Sequence, residues 1–298
     1  MKETIAGIEY TKPQVYLLQE TGIGTAEYAA RTCYNSFDKS ENGPIKGVNY
    51  LIDENMQPPH VIAKSIADVN NIGHSDLLDD LAWTYFHHSI LEHANLTYTI
   101  KGTSRGVLQE HARHRMQGIS VQSTRYTMSP IINAFIAHLP LTVEADELTA
   151  INKFTTFVEE NIQYLVTNNE YNHIEHTTVW SKLMYQYNKL GKVEFMKLAT
   201  TKAMRETILI GPDIPKSIFE KLQACKQKRN VGDSFKHIVT DNWKVDMVVT
   251  MNLRALKNYL ELRDSGAAYF QIQWLAQAMV RVTPKKYLNL ISKKYKEN

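Results

Sequence analysis

Cysteine is nearly missing from this chain, with only Cys33 and Cys225 among 298 residues. One such pair builds no disulfide framework and supplies no two-cysteine set for a structural metal, so neither staple is expected. At this length a core can bury roughly 75% of the surface of the unfolded chain without them. Long apolar runs are missing too. No stretch approaches the ~20 consecutive apolar residues of a membrane span, which predicts a soluble chain with no membrane partner. The opening Met1–Gly7 lacks the apolar run of a secretory signal, and the cytoplasm is the expected compartment. Charge of one sign is scarce: 34 Lys plus Arg stand against 31 Asp plus Glu, a net +3. That falls short of the basic balance of a dedicated nucleic-acid binder, so the expected partner is a small anion and no nucleic acid. Internal repeats and low-complexity tracts are absent as well.

What is present is concentrated. Residues 113–125 read Arg-His-Arg-Met-Gln-Gly-Ile-Ser-Val-Gln-Ser-Thr-Arg. Arg113, Arg115 and Arg125 stay protonated at any workable pH, and each offers a planar fork of donors matched to phosphate or carboxylate oxygens. His114 adds a ring that can stack or donate.

The first ~90 residues carry turn markers such as Glu41-Asn42-Gly43-Pro44 and Gln57-Pro58-Pro59, which favour loops over long helices. Asp76 to Ile90 has helical spacing. Asn95 to Ile100 alternates with period two and predicts a strand that Gly102 ends. Ser104 is placed to cap a helix from about Arg105 to Met116, on which Glu110 and Arg113, and His111 and Arg115, would share faces. Gly118 would stop it, with Val121 to Met128 extended.

Beyond Pro140 the periodicity predicts helices over Glu147–Val166, His176–Leu190, Val193–Leu209, Val248–Arg263 and Ala267–Val282. On the fourth, Val249, Leu253, Leu256 and Leu260 form the apolar stripe, with Asn252 and Arg263 on one polar ridge and Arg254 and Asn258 on another. Gly211 to Asp241 is polar and predicts a surface insertion. The last fifteen residues hold five lysines against one glutamate, which predicts a solvated tail helix.

Arg113-His114-Arg115 followed by seven residues and Ser123 resembles the defining motif of the flavin-dependent thymidylate synthases. Leu91-Glu92-His93-Ala94, Gly102-Thr103-Ser104-Arg105 and Ser123-Thr124-Arg125-Tyr126 are similar to the segments around it. Ala29-Ala30-Arg31-Thr32-Cys33-Tyr34 is similar to the family's N-terminal segment, and Asn252-Leu253-Arg254 with Asn258 and Leu262-Arg263 to its C-terminal helix. Val121, Gln122, Gly118 and Ala267 depart from the usual pattern.

The resemblance implies an α/β fold of the α+β kind, one domain over residues 1–298, with a mixed central sheet flanked by helices, assembled as a homotetramer. It implies an enzyme that makes dTMP from dUMP with 5,10-methylenetetrahydrofolate as carbon source and NADPH as reductant, through bound FAD. By position, His93, Asn95, Arg113, His114, Arg115, Asn252, Arg254 and Asn258 would contact FAD. Glu110, Arg113, Val121, Gln122, Ser123, Thr124, Arg125, Arg205 and Arg263 would hold dUMP, with Arg263 the catalytic group.

Other readings of the same residues stand beside these. Glu92-His93 is equally a surface pair, and Tyr126, Tyr259 and Trp274 read as core. Ser123 has no neighbouring base, which disfavours a nucleophile. His111 with His114, and His173 with His176, have spacings that share a metal elsewhere, but the first pair sits among positive charge and the second lacks a third ligand, so no metal is expected. The arginine cluster with nearby aromatics is also the makeup of a single-strand RNA-binding module, against which the near-neutral charge weighs.

Overall fold

The computed structural model describes residues 2–5, 8–53, 59–124, 129–139, 146–161, 179–189, 241 and 243–296. In chain order its elements are β1 (Lys2–Ile5), β2 (Ile8–Thr11), β3 (Gln14–Glu20), α1 (Gly24–Tyr34), α2 (Gly43–Asp53), α3 (Pro59–Asn70), α4 (Asp76–Trp83), β4 (Asn95–Ser104), α5 (Arg105–His111) and β5 (Gln117–Val121). They continue with α6 (Ser129–His138), α7 (Glu147–Asn161), β6 (Lys244–Asn252), α8 (Leu253–Arg263), α9 (Phe270–Val282) and α10 (Lys285–Ile291).

The chain divides into two compact units. One comprises Met1–Lys12, Ser104–Gly106 and Val121–Val245; the other comprises Pro13–Thr103, Val107–Ser120 and Asp246–Asn298. In the first, β1 and β2 form an antiparallel hairpin. Its helices α6, α7 and the helical residues 179–189 meet through Phe135, Phe154 and Trp180, whose rings lie edge-to-face 4.7 to 6.1 Å apart. Aromatic edges against faces add to simple area burial.

The second unit holds most of a sheet of order β3-β4-β6-β5. Period-two alternation decides its faces: Leu96, Tyr98 and Ile100 of β4, and Met247, Val249 and Met251 of β6, are buried. On the other face Thr97 and Thr250 hydroxyls bond across the strands at 3.0 Å. β3 pairs antiparallel with β4, with a bulge between Leu17 and Gln19. Helix α9 packs on β3, and α8 packs on α9 and α10; buried among them are Leu253, Leu256, Tyr259 and Leu260 of α8, Ile272, Leu275 and Met279 of α9, and Tyr287, Leu288 and Ile291 of α10. The Tyr98 phenol reaches Thr283 Oγ1 at 2.7 Å, so the one polar atom on that buried ring is satisfied.

The α/β architecture of a small sheet with helices matches the expected fold class, with antiparallel pairing where the expectation was a mixed sheet, while several boundaries move. The early residues form short helices rather than loops. Gly43-Pro44 opens α2 and Pro59 opens α3, because a proline in the first turn loses nothing by lacking an N–H. Helix α4 ends at Trp83, and a 3-10 stretch covers His88–His93. β4 runs on to Ser104, passing Gly102 in a left-handed conformation (φ 70°). Helix α5 ends at His111, not Met116: the Gln117 side-chain Nε2 donates to the His111 carbonyl at 3.0 Å, and Gln117, Gly118 and their neighbours join the sheet. Val248–Asn252 is strand, since β4 and β5 on either side supply the pairing that a helix would have provided internally. The terminal lysines follow a helix with a buried face. The expected helix Val193–Leu209, the 125–128 part of the expected extended stretch Val121–Met128 and the 211–240 part of the insertion lie outside the described residues.

Candidate cofactor and substrate site

The site is built where β6 turns into α8. Asn252 leaves the strand in an extended conformation and its Oδ1 accepts from the Ala255 amide at 2.8 Å, which caps the helix. Its side-chain oxygen is thereby committed, while its amide NH₂ remains a donor. Two and six residues on, Arg254 and Asn258 stand exposed on the same flank, one helical turn apart. Arg254 Nη1 donates to Glu92 Oε1 at 2.5 Å.

Arg263 closes α8 and is only 17% exposed. A cation in the last turn meets the negative end of the helix favourably. Its Nη1 donates to Glu110 Oε2 at 2.7 Å, its Nε to His114 Nε2 at 2.9 Å, and its Nη2 to the Glu110 carbonyl at 3.5 Å. A guanidinium only donates, so His114 Nε2 must be the unprotonated nitrogen and the ring neutral with its proton on Nδ1. Burial holds the His114 pKa below its usual range, reinforced by Arg263 and Arg113 and opposed by Glu110. Tyr259, wholly buried, lies edge-on to both His114 (4.7 Å) and His111 (5.0 Å). Its hydroxyl meets His111 Nδ1 at 3.1 Å. Burial, with His114 next, pushes His111 down to about 4, so it is neutral at physiological pH.

Beside this cluster opens a cavity of about 1050 Å³, whose lining includes His114, Arg115, Asn252, Arg254 and Asn258. Its lining also includes Trp83, Phe86, Lys257, Lys293 and Lys294. Lys257 Nζ lies 4.3 Å from the centre of the Trp83 ring, a cation–π contact. Arg115, Arg254 and three lysines outnumber the lining carboxylates Glu92, Glu261 and Asp264, and Trp83 and Phe86 add aromatic surface, a lining suited to a large anionic ligand.

Of the residues expected at a flavin, His114, Arg115, Asn252, Arg254 and Asn258 are brought together here. His93 ends the 3-10 stretch and is exposed, Arg113 is exposed, and Asn95 pairs its backbone with Thr21; none of the three lines the cavity. Of those expected at dUMP, Glu110 and Arg263 pair directly. Val121, Gln122, Ser123 and Thr124 belong to the other unit, where Gln122 is exposed and Thr124 buried. Arg125 and Arg205 lie outside the described residues. The part of Trp83, Lys257, Lys293 and Lys294 in the lining was missed: Lys257 sits beside Asn258 in sequence, but nothing local marks the tail lysines as lining anything other than solvent.

The family model described as thymidylate synthase complementing protein matches residues 17–287. The chain belongs to this family. Among its curated relatives, the flavin-dependent thymidylate synthase of Campylobacter jejuni is 27% identical over 274 residues, 92% of this chain and 93% of its own length. That of Wolinella succinogenes is 27% identical over 277 residues, covering 92% and 94%. Thymidylate synthase X of Helicobacter pylori, crystallised with FAD and dUMP, superposes with a TM-score of 0.55 at 22% identity, covering 96% of this chain and all of the other. That last likeness is one of fold. Family membership and the cavity's position meet at α8, the helix carrying Asn252, Arg254, Asn258 and Arg263.

Proposed function

We propose that this chain is a flavin-dependent thymidylate synthase. It methylates dUMP to dTMP reductively, with 5,10-methylenetetrahydrofolate as carbon donor, NADPH as reductant and FAD as hydride carrier, and with no covalent enzyme nucleophile. The observation that carries the reading is the convergence of Glu110, His114 and Arg263 from segments some 150 residues apart, beside a cavity lined by Arg115, Asn252, Arg254 and Asn258. The names of the relatives and the flavin and nucleotide in the Helicobacter pylori structure support it.

The donor set fits FAD. A pyrophosphate calls for fixed cationic donors, which Arg115 and Arg254 supply, and the Asn252 and Asn258 amides add neutral ones. A cavity of about 1050 Å³ is at the upper end of small-molecule sites, as a dinucleotide requires. When bound, FAD supplies hydride chemistry, while the protein provides orientation and electrostatics.

Arg263 then has a defined task. A guanidinium beside uracil N3 and a flanking carbonyl stabilises negative charge developing on the ring, which makes C5 the stronger carbon nucleophile. Glu110 and His114 hold that guanidinium in place before substrate arrives, and three bonds to protein leave N–H groups over for the pyrimidine. The same proposal keeps Val121, Gln122, Ser123, Thr124, Arg125 and Arg205, with Glu110 and Arg113, as expected dUMP contacts, and His93, Asn95 and Arg113 as expected flavin contacts outside the cavity lining. Assembly as a homotetramer in the cytoplasm belongs to the same reading. The absorbance spectrum of the purified protein tests it: flavin bands after FAD addition, bleaching with NADPH, and dTMP formed from dUMP are expected. A protein that stays colourless in excess FAD sinks the assignment.

A further inference from the structure

We propose that the C-terminal segment 292–296 is a positioning clamp for Arg263, acting through Asp264. The segment lies beyond residues 17–287, the span shared with the family model. It rests on the preceding reading of Arg263 as the group that activates substrate.

Asp264 follows Arg263 directly and caps the end of α8, its amide donating to the Leu260 carbonyl at 2.9 Å. Its side chain is 3% exposed. A carboxylate so far from water must find donors in the protein. Both come from the C-terminal segment: Lys294 Nζ at 2.8 Å and the Tyr295 hydroxyl at 2.5 Å, each on Oδ2. The other oxygen, Oδ1, is buried with no hydrogen-bond partner among the described residues. Among the described residues the acid therefore depends on these two donors.

The segment is anchored at its other end as well. Trp83 Nε1 donates to the Asn289 carbonyl at 2.7 Å, just upstream in α10, and Lys296 Nζ bonds Asp79 Oδ2 at 3.3 Å. Lys293 and Lys296 lie 5.6 and 5.7 Å from the Trp83 ring centre. The clamp thus bridges α4 and the last turn of α8. Removing its donors strands a buried charge next to Arg263, and the helix end must rearrange to bring Asp264 to water. The three bonds of Arg263 to Glu110 and His114 are made from that same turn, so they shift with it.

The test compares the full chain with Tyr295→Phe, Lys294→Ala, Lys294→Arg and a chain stopped after Ile291. Amide hydrogen exchange over Leu260–Ser265 is followed without ligand, and FAD affinity, dUMP affinity and kcat are measured on the flavin-loaded proteins. Faster exchange over Leu260–Ser265 with β4 unchanged is expected for the shortened chain. Its kcat at saturating FAD should fall roughly tenfold or more, since a misplacement near ~1 Å of a positioning group costs up to about 100-fold, and its FAD affinity should weaken as well because Lys293 and Lys294 line the cavity. Tyr295→Phe should show a smaller loss, and Lys294→Arg should restore what Lys294→Ala loses. Unchanged kcat in an otherwise active protein overturns the clamp, whether or not exchange quickens. A full chain that makes no dTMP sinks the functional reading instead, and the catalytic part of the clamp with it.

Discussion

Arg263 donates to Glu110 and His114 at once, and neither bond survives a change of side chain. Arg263→Ala should nearly abolish dTMP formation while leaving the fold intact by circular dichroism, because the lost group is half-buried and its partners can turn toward water. Ser123→Ala should retain measurable turnover; a dead variant with intact dUMP binding would instead mark Ser123 as a nucleophile. His111 supplies the pH dependence. Its folded pKa of about 4 lies below the ordinary 6.5, so between those values the unfolded chain binds the extra proton and the folded one does not. Stability is therefore full above pH 6.5 and falls as pH drops toward 4, by about 1.4 kcal/mol per pH unit and roughly 3 kcal/mol in all. Melting temperatures from pH 7 to pH 4.5 should decline less steeply in His111→Leu than in the parent, and parallel slopes would remove His111 as the cause.

At the scale of the element, Asn252 has two duties that separate cleanly. Its Oδ1 caps α8, and the residue lines the cavity with an amide NH₂ still able to donate. Asn252→Asp keeps an acceptor for the Ala255 amide and loses the donor, so thermal stability should stay near that of the parent while flavin binding weakens. Asn252→Ala should lose both, with about 1 kcal/mol of stability gone. Equal flavin affinity in all three proteins, by fluorescence titration, would take Asn252 out of the cofactor site. The strand-to-helix change at this residue is also where helical periodicity misleads. Val249, Leu253, Leu256 and Leu260 are all buried, as a helical stripe predicts, yet Val249 reaches the core from β6. An apolar residue every third or fourth position is compatible with either arrangement over so short a window.

For the whole molecule, the near balance of 34 basic and 31 acidic residues keeps long-range attraction to polyanions weak. Binding of dUMP should change little between low and physiological salt, whereas an RNA-binding module would lose affinity steeply. Sedimentation of the flavin-loaded protein should report a tetramer, and a monomer active at every concentration would refute the proposed assembly. No helix among the described residues is long and apolar enough to cross a membrane, which agrees with the lack of apolar runs in the sequence.

The amino-acid order alone determined what depends on near neighbours: the alternation that makes β4, the buried stripe of α8, and the spacing of Arg113, His114, Arg115 and Ser123 that marks the family. Each is a property of a short window, where covalent geometry sets which side chains share a face. Only the tertiary structure decided that Val248–Asn252 pairs as strand, that Glu110 meets Arg263, and that Lys294 and Tyr295 turn inward to Asp264 instead of facing solvent. Those contacts join residues from 30 to 153 positions apart. Their free energy comes from burial and partners that no local window contains.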